Sequence, residues 1–169
     1  MKALLADWDG VLNSWDYMRN RRMLPRPTPH PIDALAVPRL NAVTDRTGAK
    51  IVVSSTKRLS RTVARLAEIF AAHGITGEVV DKTPSIIVPD PREGYPNAVK
   101  RVERGVEIQA WLDAHPECTR FAIVDDNSDM AHLRDRLVLT TFAMGLQDEH
   151  VEALCALLGE VQDGSHAKG

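Results

Sequence analysis

Five short apolar runs punctuate the chain, at residues 2–6, 49–53, 77–80, 120–124 and 137–140. They are rich in Val, Ile, Leu and Ala and are bounded by polar residues or glycine, which predicts strands buried on both faces. Between them the apolar positions shift to a helical period. Residues 32–47 place apolar side chains at 32, 35, 36, 40 and 43. Residues 60–73 carry one stripe of Val63, Leu66, Ala67, Phe70 and Ala71, with Ser60 placed to cap its start and Gly74 to stop it. Further helices are predicted over 106–114, around Ile108, Trp111 and Leu112, then over 129–135 and 150–158. Strands alternating with helices imply parallel units joined by right-handed crossovers. The expectation is an α/β, three-layer Rossmann-like sandwich on a five-stranded, mainly parallel sheet.

Two stretches break the pattern. Residues 14–31 hold four arginines and four prolines, and residues 83–99 hold Pro84, Pro89, Pro91 and Pro96 around a short apolar segment at 86–88. Loops of this length without clear structure are commonly functional or disordered. Neither is long enough for a cap domain of usual size, so an open site shielded by two flaps is expected. One domain spanning 1–162 and a polar, flexible tail at 163–169 complete the plan.

Composition narrows the function classes. The 169 residues are 44% hydrophobic and 26% charged, with net charge −2 and a pI near 6.3. That balance gives no global attraction to nucleic acid or to an anionic membrane, so any affinity for phosphate must be local. Cys118 and Cys155 are too few and too far apart for a disulfide framework or a zinc site, and Cys155 falls in an apolar helical pattern. No signal peptide or membrane-length apolar run is visible, so the cytoplasm is the expected location and no membrane partner is implied. The six histidines show no metal-ligand spacing.

The chemistry sits where strands end. The run at 2–6 stops in Asp7-Trp8-Asp9-Gly10, and the run at 120–124 stops in Asp125-Asp126. The carboxyl edge of a parallel sheet is where open α/β folds bind ligands. Carboxylates gathered there can hold a divalent cation, and one can attack an electrophile such as a phosphate ester. The Asp7/Asp9 pair would also fit a plain turn or helix cap. In the catalytic reading Asp7 is the nucleophile, and Asp9 is the acid and then the base. Asp125 ligates Mg²⁺ directly, and Asp126 does so through water or orients the shell, because hard oxygen donors suit Mg²⁺. Asp129 is a further ligand candidate, although Ser128 or Asp129 equally suits capping of the next helix. Ser54-Ser55-Thr56 ends the run at 49–53, where a hydroxyl and backbone N–H groups can meet a phosphate, or form an ordinary hydroxyl-stabilised turn. Lys57 and Arg58 follow, able to meet further substrate phosphates or to remain solvated.

The stretch Asp7-x-Asp9-Gly10-Val11-Leu12 resembles the first motif of the haloacid dehalogenase (HAD) superfamily of phosphohydrolases, and three later stretches resemble its other motifs in order. The segment Ser54-Ser55-x-x-Arg58 and the helix Arg104-Gly105-x-Glu107-Ile108-x-x-Trp111-Leu112 are similar to the compact HAD domains of phage and bacterial nucleic-acid repair proteins. The resemblance implies an Mg²⁺-dependent phosphomonoesterase with an aspartyl-phosphate on Asp7, in which the backbone carbonyl of Asp9 is also a metal ligand. It implies Ser55 as the second-motif residue, with Ser54 as alternative. It implies Arg104 as the third-motif cation where most members carry lysine, with Lys100, Arg101 and Lys82 as rivals. An arginine is chemically adequate there, being permanently charged and able to grip phosphate with two donors.

Substrate choice stays open between several classes. The run Arg19, Arg21, Arg22 and Arg26, with Arg21 and Arg22 foremost, could hold a nucleic-acid backbone or equally be a solvated loop; Trp8, Trp15 or Tyr17 could stack on a base, and Trp8 could equally be packing. Trp111 belongs to the core. A terminal 3′-phosphate of DNA or RNA is the first expectation, and a nucleotide or small phosphorylated metabolite the second. A non-catalytic binding module is the alternative from another class. A receiver domain is set aside because no lysine lies between residues 138 and 159. Oligomeric state is not legible.

Overall fold

The run after Met1 becomes the central strand of the computed structural model, which describes residues 1–21, 30–92 and 95–161, with only the backbone of Arg21. In chain order the elements are β1 (Lys2–Ala6), α1 (Trp15–Arg21), α2 (Ala36–Thr47), β2 (Lys50–Val53), α3 (Val63–Ala72) and β3 (Val79–Lys82). There follow β4 (Ile87–Pro89), β5 (Val99–Arg101), α4 (Arg104–Ala114), β6 (Arg120–Asp125), β7 (Leu137–Leu139) and α5 (Asp148–Leu158). Short 3-10 helices occupy Thr56–Ser60 and Ala131–Arg136. Among the described residues one five-stranded sheet runs in the order β3-β2-β1-β6-β7, with every neighbouring pair parallel.

The period of two along each strand sends alternate side chains into two cores. Leu4, Ala6, Ile51, Val53, Ala122 and Val124 pack with Leu40 of α2, with Leu66 and Phe70 of α3 and with Leu154 of α5. Ala3, Leu5, Val52 and Ile123 pack on the other face, with Ile108 and Trp111 of α4 and with Met130 and Leu133. Three layers result, with the carboxyl ends of β1, β2 and β6 meeting at one edge. No described helix is long and apolar enough to cross a membrane.

Several element starts differ from expectation for local reasons. The cap of α3 is Thr62, whose Oγ1 accepts from Arg65 N at 3.2 Å, and not Ser60, which lies inside the 3-10 helix capped by Ser55. Helix α4 begins at Arg104, two residues early, because the Asp129 carboxylate accepts the Arg104 N–H at 3.3 Å. Asp129 thus caps the helix before it in sequence, not the one after. The segment expected to be a helix over 129–135 is 3-10, starting at Ala131 in the left-handed region. The two expected loops contain structure: α1 lies in the first, and β4 and β5 form an antiparallel hairpin around the second. The tail at 163–169, Arg22 and Arg26 lie outside the described residues. Both cysteines are free, and Cys155 is buried.

Candidate active site

Strand β1 delivers Asp7 to the edge of the sheet, held in register by its N–H on Val124 O at 3.0 Å. Gly10 then turns the chain with φ 78°, and a Cβ there would overlap the Asp126 carboxylate. Both the left-handed backbone and the space against β6 require glycine. Thr140 ties this turn to the end of β7 by donating to Gly10 O at 2.7 Å. Strand β6 brings Asp125 and Asp126 alongside, and one oxygen from each of Asp7, Asp125 and Asp126 falls within a cluster no wider than 4.8 Å.

The cation at this cluster comes from α4. Arg104 Nη1 lies 3.0 Å from Asp7 Oδ1 and 2.8 Å from Asp125 Oδ2. Gly105 lets the helix start come this close, since a Cβ there would collide with the Met130 backbone. Burial disfavours charge on Arg104, but the carboxylates of Asp7 and Asp125 outweigh it and hold its pKa above the ordinary value. The acids move the opposite way. Burial first, and then the Asp7 charge, pushes Asp125 up to about 7. The same two causes raise Asp126. Crowded carboxylates with one cation among them have spare negative charge and only hard oxygen donors, the combination that fits a divalent ion such as Mg²⁺.

A family model described as "HAD domain in Swiss Army Knife RNA repair proteins" matches residues 3–151. The chain belongs to this family. It is a HAD-type phosphatase in fold and family, with its acidic cluster at the expected edge of the sheet. No curated protein and no solved structure matches it.

Within this HAD domain the remaining sequence candidates separate. Asp9 is near Asp7 in sequence, but its carboxylate stands outside the acidic cluster. Its Oδ1 accepts from Asn13 Nδ2 at 3.0 Å, and its Oδ2 pairs with Lys57 Nζ at 2.9 Å. Lys57 is thereby brought to the site. Ser54 and Ser55 are both buried at the end of β2. Ser55 Oγ accepts from Lys57 N at 3.4 Å, whereas Ser54 Oγ has no hydrogen-bond partner. Thr56 is exposed and shares a cleft of about 60 Å³ with Arg101, Arg104 and Asp129. Arg21 and Arg22 have no described side chains.

Arg58 requires correction. It is not a substrate ligand: only 1% exposed, it spends every guanidinium donor inside the protein. Nε donates to Thr83 O at 2.8 Å, and Nη1 to Ser54 O and Ser55 O at 2.8 and 2.9 Å. Nη2 donates to Pro84 O at 2.8 Å and to the Glu107 carboxylate. Glu107 accepts from Ile86 N with its other oxygen. Trp8 is likewise not a stacking platform, being buried edge-on against Phe70 and bonded to Pro31 O.

Of the rival cations, Lys82 donates to Arg58 O and Arg61 O, and Lys100 pairs with Asp90. Among the described residues, the one carboxylate that Arg101 approaches is Glu107, at 3.9 Å. Asn13 was not singled out in the sequence, and Glu107, though part of the helix motif quoted above, was given no role. Glu107 stands one position from Ile108 and four before Trp111, so it shares their buried stripe, a signal legible in the pattern. Nothing local marks Asn13.

Proposed function

We propose that this HAD phosphatase is an Mg²⁺-dependent phosphomonoesterase that removes a terminal 3′-phosphate from nucleic acid through an aspartyl-phosphate on Asp7. The observation that carries the chemistry is the convergence of Asp7, Asp125 and Asp126 on one side of Arg104. The family's RNA-repair description supports a nucleic-acid substrate. Mg²⁺, when bound, supplies positive charge that offsets phosphate and carboxylate repulsion. Asp7 and Asp125, the backbone carbonyl of Asp9, and Asp126 are the residues that would hold it.

An Asp7 oxygen attacks phosphorus, and the bond from phosphorus to the leaving oxygen breaks. Asp9 donates its proton to that oxygen. Water then attacks the phosphorus on Asp7, Asp9 takes the water proton, and inorganic phosphate departs with Asp7 restored. Asn13 and Lys57 fix the Asp9 carboxyl for both transfers. Arg104 neutralises Asp7 as the dianionic phosphate approaches, and its fixed position means that little reorganisation is needed at that moment. The buried hydroxyls of Ser54 and Ser55, with Ser55 in the second-motif role, supply donors for the phosphoryl oxygens.

The test is a substrate panel with Mg²⁺ and with EDTA: 3′-phosphorylated and 5′-phosphorylated oligonucleotides, nucleoside monophosphates and sugar phosphates. The 3′-phosphorylated oligonucleotide should give the highest kcat/KM, and EDTA should abolish turnover. Preference for a sugar phosphate would replace the nucleic-acid assignment with a small-molecule one.

A further inference from the structure

Arg101 enters the same cleft as Arg104, yet its charge is poorly used. The buried Arg58 already neutralises Glu107, leaving Arg101 a contact at 3.9 Å. On the same hairpin, Arg92 and Lys100 are both drawn to Asp90, whose pKa they hold below the ordinary carboxylate value. The strand register pairs Ile87 with Arg101 and Pro89 with Val99, so these four residues share one face of the hairpin. On that face Ile87 is 61% and Val99 58% exposed. An unsatisfied cation and an apolar strip therefore lead outward from the catalytic arginine. The hairpin is fixed to α4 rather than loose: Val102 N–H donates to Ile86 O, and Ile86 N–H donates to Glu107.

We infer that the face of the β4–β5 hairpin carrying Ile87, Val99 and Arg101 is the seat of the substrate strand, with Arg101 binding the phosphodiester next to the scissile 3′-phosphate. This rests on the phosphatase reading above and adds where the rest of the substrate lies. Arg101 precedes Arg104 by three residues, so their Cα atoms are at most ~11 Å apart, a span that one or two nucleotides bridge. With the terminal phosphate at Asp7, the next phosphate meets Arg101, and the sugar and base between them cover Ile87 and Val99. A mononucleotide or sugar phosphate has no second phosphate to offer. A phosphopeptide would meet Arg101 with a neutral backbone. The occupant that uses both the charge and the apolar strip is a single-stranded nucleic-acid end.

The experiment compares a 3′-phosphorylated oligonucleotide, an aryl phosphate and a phosphoserine peptide on the wild type, Arg101→Gln, Arg101→Lys and Lys50→Gln over a range of salt. Lys50 lies at the opposite edge of the sheet and controls for loss of one charge. Arg101→Gln should raise the oligonucleotide KM about tenfold, with kcat nearly unchanged. Loss of one phosphate contact should also flatten the slope of log KM against log salt by about 0.7. Arg101→Lys should restore the slope, Lys50→Gln should leave it alone, and aryl-phosphate KM should shift less than twofold.

If Arg101→Gln raises the aryl or peptide KM as much as the oligonucleotide KM, the phosphodiester subsite is overturned. An unchanged salt slope overturns it as well. If the wild type hydrolyses none of the three, the phosphatase reading itself fails, and the subsite falls with it. Matching melting curves for the variants separate these outcomes from misfolding.

Discussion

Replacing Arg58 by methionine tests whether the residue beside the second motif belongs to the substrate or to the scaffold. Methionine keeps much of the side-chain length and removes the charge and all donors. Glu107, 2% exposed, would keep Ile86 N–H but lose its close cation, and four backbone carbonyls would lose their guanidinium partner. Breaking one side of a buried ion pair costs about 3–5 kcal/mol, because the remaining charge is stranded in low dielectric. For a chain of this size each kcal/mol moves the melting temperature by about 2–4 °C, so Arg58→Met should lower Tm by about 6–20 °C. Converting Glu107 to leucine in the same protein removes the stranded charge, so the double variant should recover a substantial part of the loss. Differential scanning fluorimetry and urea titration of the four members of the cycle measure both quantities. A Tm change under about 2 °C accompanied by a raised KM would mean that Arg58 faces substrate after all. A double variant no better than Arg58→Met would mean that the Glu107 charge is not the source of the cost.

Three further outcomes follow from the site. Asp7→Asn should lower kcat by about three orders of magnitude or more with the fold intact, and retention of a few per cent of activity would exclude the covalent route. The Asp125 carboxyl, held at about 7 against an ordinary value near 4, keeps a proton in the folded state that the unfolded chain gives up. Stability of the metal-free protein should therefore fall as pH rises from about 4 to about 7 and level off above. Mg²⁺ binding needs that carboxylate ionised, so its stabilising shift in Tm should be larger at pH 8 than at pH 6, and an equal or larger shift at pH 6 would contradict this. Gly105→Ala should destabilise by about 1–3 kcal/mol, because the new Cβ meets the Met130 backbone, which has no rotamer to change; chemical denaturation reads this directly, and a neutral result would mean that α4 can slide.

Much of the fold and the clustering of Asp7, Asp125 and Asp126 were legible in the sequence. The strands are apolar runs covered on both faces, and the acids follow them directly in sequence. Where β1 and β6 lie side by side and parallel, as the alternation of strands and helices implies, Asp7 and Asp125 share an edge. Element ends were less legible because their caps can be distant: Asp129 sits twenty-five residues from the N–H that it caps. The hairpin escaped notice because its strands are three residues long and none of their residues is buried, leaving no period for hydrophobicity to mark.

The partners of the cations were decided by tertiary structure. Arg58, Lys82, Lys100, Arg101 and Arg104 carry the same charge in the sequence; the motif resemblance puts Arg104 first, but charge by itself does not rank them. The crossover of α4 on one face of the sheet puts Arg104 against Asp7 and Asp125, while it buries Glu107 one turn further on, where Arg58 must satisfy it. Sequence determines which charges exist and which strand ends carry them. Only the packing of helix on sheet decides which pairs come within reach, because electrostatic energy depends on separation and burial, and neither is a property of residues taken singly.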